Sequence, residues 1–229
     1  MWFYVWTSAL KGAYLWEWPW SPWTNTKAYR PLKDDFNDYS WHWYNLAQTW
    51  TITLTTLNWA KCTKWGGWAS YLQNTTAVLP SGTASRTVSL RYAEPSNSWN
   101  HHILYYGSNS VWYMWDMLTV SLNFRFNQGN TINSSFNATV NEWNLYTITW
   151  SSTNKIKIYV NGTLNTTNTS YTINTTAVSA SSPIRLFNRG NNTSYPSTWY
   201  LADVIVEDKE RTATEISKYY NDFKADYWK

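Results

Sequence analysis

The chain has 229 residues, enough for one β-sandwich or α/β domain with a sizeable core. Lys+Arg 18 against Asp+Glu 14 leaves a thin, scattered net charge of +4, which argues against nucleic acid as a partner. A single cysteine, Cys62, excludes an intrachain disulfide framework and a multi-cysteine zinc module.

Ser, Thr and Asn together supply 77 residues, a composition that suits a Thr-rich antiparallel β protein with Asn/Ser turns. The opening stretch MWFYVWTSALKGAYLWEWPWSPW is apolar and aromatic. It has no Lys/Arg-rich start and no A-x-A site, so it makes a poor signal peptide. Lys11, Glu17, Pro19 and Pro22 interrupt it before the ~20 apolar residues that a membrane span requires. Residues 1–26 therefore read as an irregular arm, and residues 27–229 as one domain with no transmembrane segment.

Strands are expected at Lys27–Leu32, Thr51–Leu57, Thr87–Tyr92, His101–Tyr106, Leu118–Phe126, Leu145–Trp150, Lys155–Val160, Ile184–Phe187 and Tyr200–Glu207. A polar turn, Asp34–Ser40, follows the first. Lys155–Val160 (KIKIYV) puts apolar residues at 156, 158 and 160, on one face of a strand. Asn161-Gly162 follows at once, the strongest short hairpin signal. Near the end, Thr212-Ala-Thr-Glu215 is a capping box, and Ile216, Tyr219, Tyr220 and Phe223 recur at helical spacing. A helix is expected at about 213–226. Many short strands at this spacing indicate an all-β, two-sheet antiparallel sandwich.

Three segments carry a resemblance. The stretch Ala28–Ser40 resembles an opening strand followed by a D-x-S-G turn. Asn141-Glu142-Trp143 through Thr149, with Lys155–Gly162, is similar to a W-h-h-v … i-k-l-Y-v-N-G hairpin. Trp199–Val206 with Glu215-Ile216 looks like a closing strand and helix. In this order they resemble the laminin-G-like, concanavalin A-like lectin/glucanase family across residues 28–224. The resemblance implies a jelly-roll β-sandwich and a role in glycan or protein binding at surfaces.

The tryptophans depart from that family. Trp is 19 and Gly only 8, although turns of a β protein need glycine for positive φ. Trp41 and Trp199 stand where the family has glycine. Trp43, Trp50, Trp59, Trp65 and Trp68 fall in expected turns or beside glycine. Trp143 matches a tryptophan that the family itself uses. One reading is that many of these residues are glycine in the source organism, through a code that reads UGA as glycine. The other is a genuinely Trp-rich binding surface. Trp150 and Trp23 are left open between the two.

Glycoside hydrolysis pairs two carboxylates. The acidic stretch Asp203-Val-Ile-Val-Glu207-Asp208-Lys-Glu210 is the densest on a strand and does not match the E-x-D-x-x-E pattern of the glucanase branch. Asp34, Asp35 and Asp38 form an oxygen-rich turn that suits calcium, though such residues also stabilise turns without metal. His101 and His102 are adjacent on a strand, point to opposite faces and cannot chelate one ion together. Nucleophile-elbow, phosphate-loop and H-E-x-x-H motifs are absent. Aromatic platforms suit sugar rings, and Tyr106, Trp112, Tyr113 and Trp115 form the best candidate patch.

These features lead to the expectation of a non-catalytic, lectin-like module of a cell-surface or phage-tail adhesin. Its partner would be a surface glycan, with calcium as the candidate cofactor. A structural module that adheres to surface proteins without sugar binding is the alternative.

Overall fold

The computed structural model describes residues 26–30, 45–49, 52–65, 70–94, 100–108, 114–120, 122–128, 130–188 and 200–227. The N-terminal arm over residues 1–25, the turn bearing Asp34, Asp35 and Asp38, the indoles at 41, 43, 50, 68, 112 and 199, and Tyr113 lie outside them.

Fifteen strands and one helix are found among the described residues. They are β1 (Thr26–Arg30), β2 (Ala47–Thr49), β3 (Ile52–Leu57), β4 (Ala60–Trp65), β5 (Tyr71–Asn74), β6 (Arg86–Ala93), β7 (Asn100–Gly107) and β8 (Met114–Val120). Next come β9 (Asn123–Gln128), β10 (Asn130–Asn137), β11 (Trp143–Ser151), β12 (Lys155–Val160), β13 (Thr163–Asn168), β14 (Ile184–Leu186), β15 (Tyr200–Glu207) and helix α1 (Ala213–Tyr227).

The strands form two antiparallel sheets. One runs β13-β12-β11-β6-β15-β4-β3, with β1 also paired to β15; the other runs β10-β9-β8-β7-β14-β5-β2. Period-2 alternation decides which side chains meet between them. Val88, Leu90 and Tyr92 of β6, Tyr146, Ile148 and Trp150 of β11, and Ile156, Ile158 and Val160 of β12 line one inner face. Leu104 and Tyr106, Trp115 and Met117, Phe124 and Phe126, Ile132, Leu72 and Leu186 line the other. The sandwich fold is as expected from the sequence.

Leu118–Phe126 is not one strand. The chain reverses between Val120 and Asn123, which pair across the β8–β9 turn, with Leu122 at φ 68°. No glycine or Asn-Gly marks this turn, so its sequence, LTVSLNFRF, reads as one unbroken apolar/polar alternation. At the side of the sandwich where β13 and β10 are outermost, the two sheets are stitched together. The Ser135 amide donates to Asn165 Oδ1 at 2.7 Å, and Thr166 Oγ1 donates to the Asn133 carbonyl at 3.3 Å.

Helix α1 begins with the expected capping box. The Thr212 amide donates to Glu215 Oε2 at 2.7 Å, and the Glu215 amide donates to Thr212 Oγ1 at 3.2 Å. Arg211, buried, pairs with Glu207 at the end of β15 and with Glu215 at 2.9 Å. The helix lies against the β12–β13 turn so closely that a Cβ on Gly162 would sit 2.8 Å from Tyr220 Cβ.

Candidate functional site

Tyr106 and Trp115 are placed differently from the sugar platform expected of them. Both are fully buried in the core, with ring centroids 6.1 Å apart, and Trp115 meets Phe126 edge-on at 4.7 Å. The Arg86 guanidinium lies 5.4 Å from the Trp115 ring. Rings enclosed in this way pack on protein and have no face left for a sugar. Trp65, which stands beside Gly66 in the sequence, is the last residue of β4 and its backbone pairs with Ile52.

Opposite parity selects another set. In the seven-stranded sheet one lateral row of paired residues runs Ala47–Gln73–Arg185–Tyr105–Asp116–Asn127–Thr131 across strands β2, β5, β14, β7, β8, β9 and β10. Directly paired residues point to the same face of a sheet. The neighbours Leu72, Leu186, Leu104, Trp115, Met117, Phe126 and Ile132 all point into the core. The row therefore lies on the outer face.

Its centre and ends differ. Tyr105 and Asp116 are fully buried. Gln73, Arg185 and Asn127 are half-buried, and Ala47 and Thr131 are exposed. Beside the centre, His102 Nδ1 and Asp116 Oδ1 share a hydrogen bond at 2.9 Å. On the β5–β14 side, the Arg185 guanidinium lies 4.5 Å over the Tyr71 ring, and its Nε donates to Gln73 Oε1 at 3.3 Å. Tyr71 is itself half-buried. A ring, a guanidinium and an amide thus share one solvent-reaching corner. That set can stack on an apolar ring face and hydrogen-bond to hydroxyl or carboxylate groups.

The two histidines diverge as strand alternation requires. His102 joins the outer face, whereas His101 turns inward and pairs with the buried Glu94. Thr119 Oγ1 donates to Glu94 Oε2 at 2.6 Å, and Tyr92 Oη lies 3.3 Å from Thr119 Oγ1. Burial pushes the Tyr92, Tyr106 and Tyr146 phenols above their usual range. These groups hold the core together and are not positioned for chemistry on a ligand.

Asp203 and Glu207 share a face, but each faces an arginine: Arg91 Nη1 lies 3.7 Å from Asp203 Oδ2, and Arg211 pairs with Glu207. Four residues apart on one strand, their backbones are separated by roughly 13 Å at about 3.3 Å per residue. A carboxylate pair for glycoside hydrolysis spans about 5 to 9.5 Å. Burial pushes the Cys62 thiol up to about 12. Among the described residues no group of three or more His, Cys, Asp or Glu could hold a metal ion, and no helix is long and apolar enough to cross a membrane.

The outer-face corner is hard to read from the sequence because β5, YLQN, is only four residues long. The available signal was alternation: Tyr71 and Gln73 flank the core residue Leu72, and Arg185 stands between the core residues Ile184 and Leu186.

A family model described as the concanavalin A-like lectin/glucanases superfamily matches residues 65–217. No curated protein is significantly similar in sequence. Among solved structures, the botulinum neurotoxin serotype G binding domain is 14% identical with TM-score 0.67, covering 88% of this chain and 52% of that one. Botulinum neurotoxin type C, whose passage into cells depends on interaction with two ganglioside molecules, is 17% identical with TM-score 0.65, covering 86% and 51%. Domain 4 of AbnA, an extracellular arabinanase from Geobacillus stearothermophilus solved with arabinotriose, is 13% identical with TM-score 0.66, covering 84% and 97%. The chain spans about half the length of the toxin chains it matches.

Proposed function

From the premise that this chain belongs to the concanavalin A-like lectin/glucanase superfamily, we propose that it is a non-catalytic module that binds a surface glycan. The observation that carries the reading is the corner of Tyr71, Gln73 and Arg185 on the outer face of the seven-stranded sheet. It supplies one aromatic ring and two planar polar groups within reach of solvent, the mix by which small polar ligands are held and oriented. The wide backbone separation of Asp203 and Glu207, each facing an arginine, supports a binding role over hydrolysis. A toxin that depends on gangliosides and an arabinanase domain solved with arabinotriose share the fold and accord with a glycan ligand. Display outside the cell, or on a virion tail, is part of the same reading, and the arabinanase is itself extracellular.

The test is a glycan array probed with the full chain, with and without EDTA, alongside Tyr71→Ala and Arg185→Ala. Retention on a subset of glycans, lost in both variants, is the expected result. Loss in EDTA would add calcium to the site. Silence of the unmodified chain across a broad array would sink the reading and favour adhesion to a surface protein.

A further inference from the structure

Two hairpins in this sandwich are built to the same plan. Leu57 pairs with Ala60 across the β3–β4 turn, and Val160 pairs with Thr163 across the β12–β13 turn, so each loop has two residues. The second loop is Asn161 at φ 50° and Gly162 at φ 78°. The first is Asn58 at φ 47° and Trp59 at φ 69°. Positive φ at both central residues is what a type I′ turn demands, and Asn-Gly is the pair that meets it. A bulky side chain in left-handed geometry is an outlier that surrounding contacts must compensate.

At position 59 almost nothing compensates, because Trp59 is 91% exposed. Other large residues in the same region have support. Phe187, at φ 72°, is buried and its amide donates to the Ile103 carbonyl at 3.0 Å. Leu122, at φ 68°, accepts at its carbonyl from the Ala138 amide at 2.9 Å.

Other tryptophans use their indoles. Trp143 Nε1 donates to the Leu57 carbonyl at 3.1 Å; Trp150 is fully buried and its Nε1 donates to the Thr83 carbonyl at 3.3 Å. The one letter therefore covers two populations, in a chain with 19 Trp and 8 Gly. We infer that position 59 is glycine in the protein as its own organism makes it, encoded by a UGA codon read there as glycine, while Trp143 and Trp150 are tryptophan. The exposed indole at the β3–β4 tip is then no part of any ligand surface. This inference is independent of the glycan site.

The gene decides it directly. UGA at codon 59 with UGG at 143 and 150 is the expected pattern. UGG at 59, or UGA at all three, overturns it. The protein gives a second arm, made with tryptophan at 59 and compared with Trp59→Gly and Trp59→Ala. Glycine should raise the melting temperature by roughly 2 to 4 °C, the shift that relief of left-handed strain gives a domain of this size, and alanine should raise it less. A Trp59→Gly protein that melts at or below the parent temperature overturns the claim that the turn requires glycine.

Discussion

The indole of Trp143 is tied to Leu57, the residue that leads into the β3–β4 turn, by a hydrogen bond of 3.1 Å. On the same side, Asn58 Nδ2 donates to the Asn141 carbonyl at 2.8 Å. The first residue of β11 therefore fixes the end of a hairpin 86 residues earlier in the chain. Trp143→Phe keeps most of the apolar contact and removes the donor. It should cost about 1 kcal/mol, read as a lower urea midpoint with an unchanged slope. A change in slope would mean that more than this bond was lost.

Arg86 closes one end of the core. Its guanidinium donates to the carbonyls of Pro80, Gly82 and Ala84 and to Tyr106 Oη, at 2.8 to 3.0 Å. Arg86→Ala strands these acceptors and opens a void, so a loss of about 3 kcal/mol or more is expected. Tyr106→Phe removes one of the four partners and should cost about 1 kcal/mol. Glycan retention by Tyr106→Phe should equal that of the parent. A selective loss of binding in a protein of normal stability would return Tyr106 to the ligand site.

The junction of β15 and α1 is sensitive to acid. Burial alone would raise the Glu215 carboxyl, but hydrogen bonds from Lys209, Thr212 and Arg211 outweigh it and bring its pKa down to about 2. Glu210 is likewise lowered: burial opposes, and Asn154, Ser151 and Lys157 prevail. A carboxyl depressed in the folded state contributes stability above its unfolded pKa and loses it as pH falls through the folded one. Melting temperature should therefore decline from about pH 4.5 towards pH 2, and Glu215→Gln should flatten part of that decline. An unchanged pH profile in Glu215→Gln would remove this carboxylate from the account.

Cys62 is buried, and its thiol is pushed up to about 12. The thiolate is the reactive form. Alkylation at pH 8 should be negligible in the folded protein and rapid after denaturation. Fast labelling of the native chain would show that β4 opens readily.

Much of the architecture was legible, because core residues recur at every second position along β6, β11 and β12. KIKIYV, the Asn-Gly turn and the capping box were each sufficient alone. Strands β10 and β13 were not legible: each is the outermost member of its sheet, and NTINSSFN and TLNTTN contain few apolar residues. The hairpin within Leu118–Phe126 was hidden because Leu122 enters left-handed geometry with no glycine or asparagine to announce it.

The site turned on parity. Tyr105 and Tyr106 are neighbours in sequence, and only pairing reveals that the first joins the polar row and the second the core. A register break between His102 and Leu104 disrupts the count that would have separated them.

The position of β15 bears on how the molecule is made. This strand, at residues 200–207, fills the gap between β6 and the strands β1 and β4. Until residue 207 has emerged from the ribosome, the eight-stranded sheet exists as β13-β12-β11-β6, the β3–β4 hairpin and a separate β1, each with unpaired edges. Its closure must await synthesis of this strand, and ribosome-bound fragments ending before β15 should recruit chaperones and be cut readily by protease.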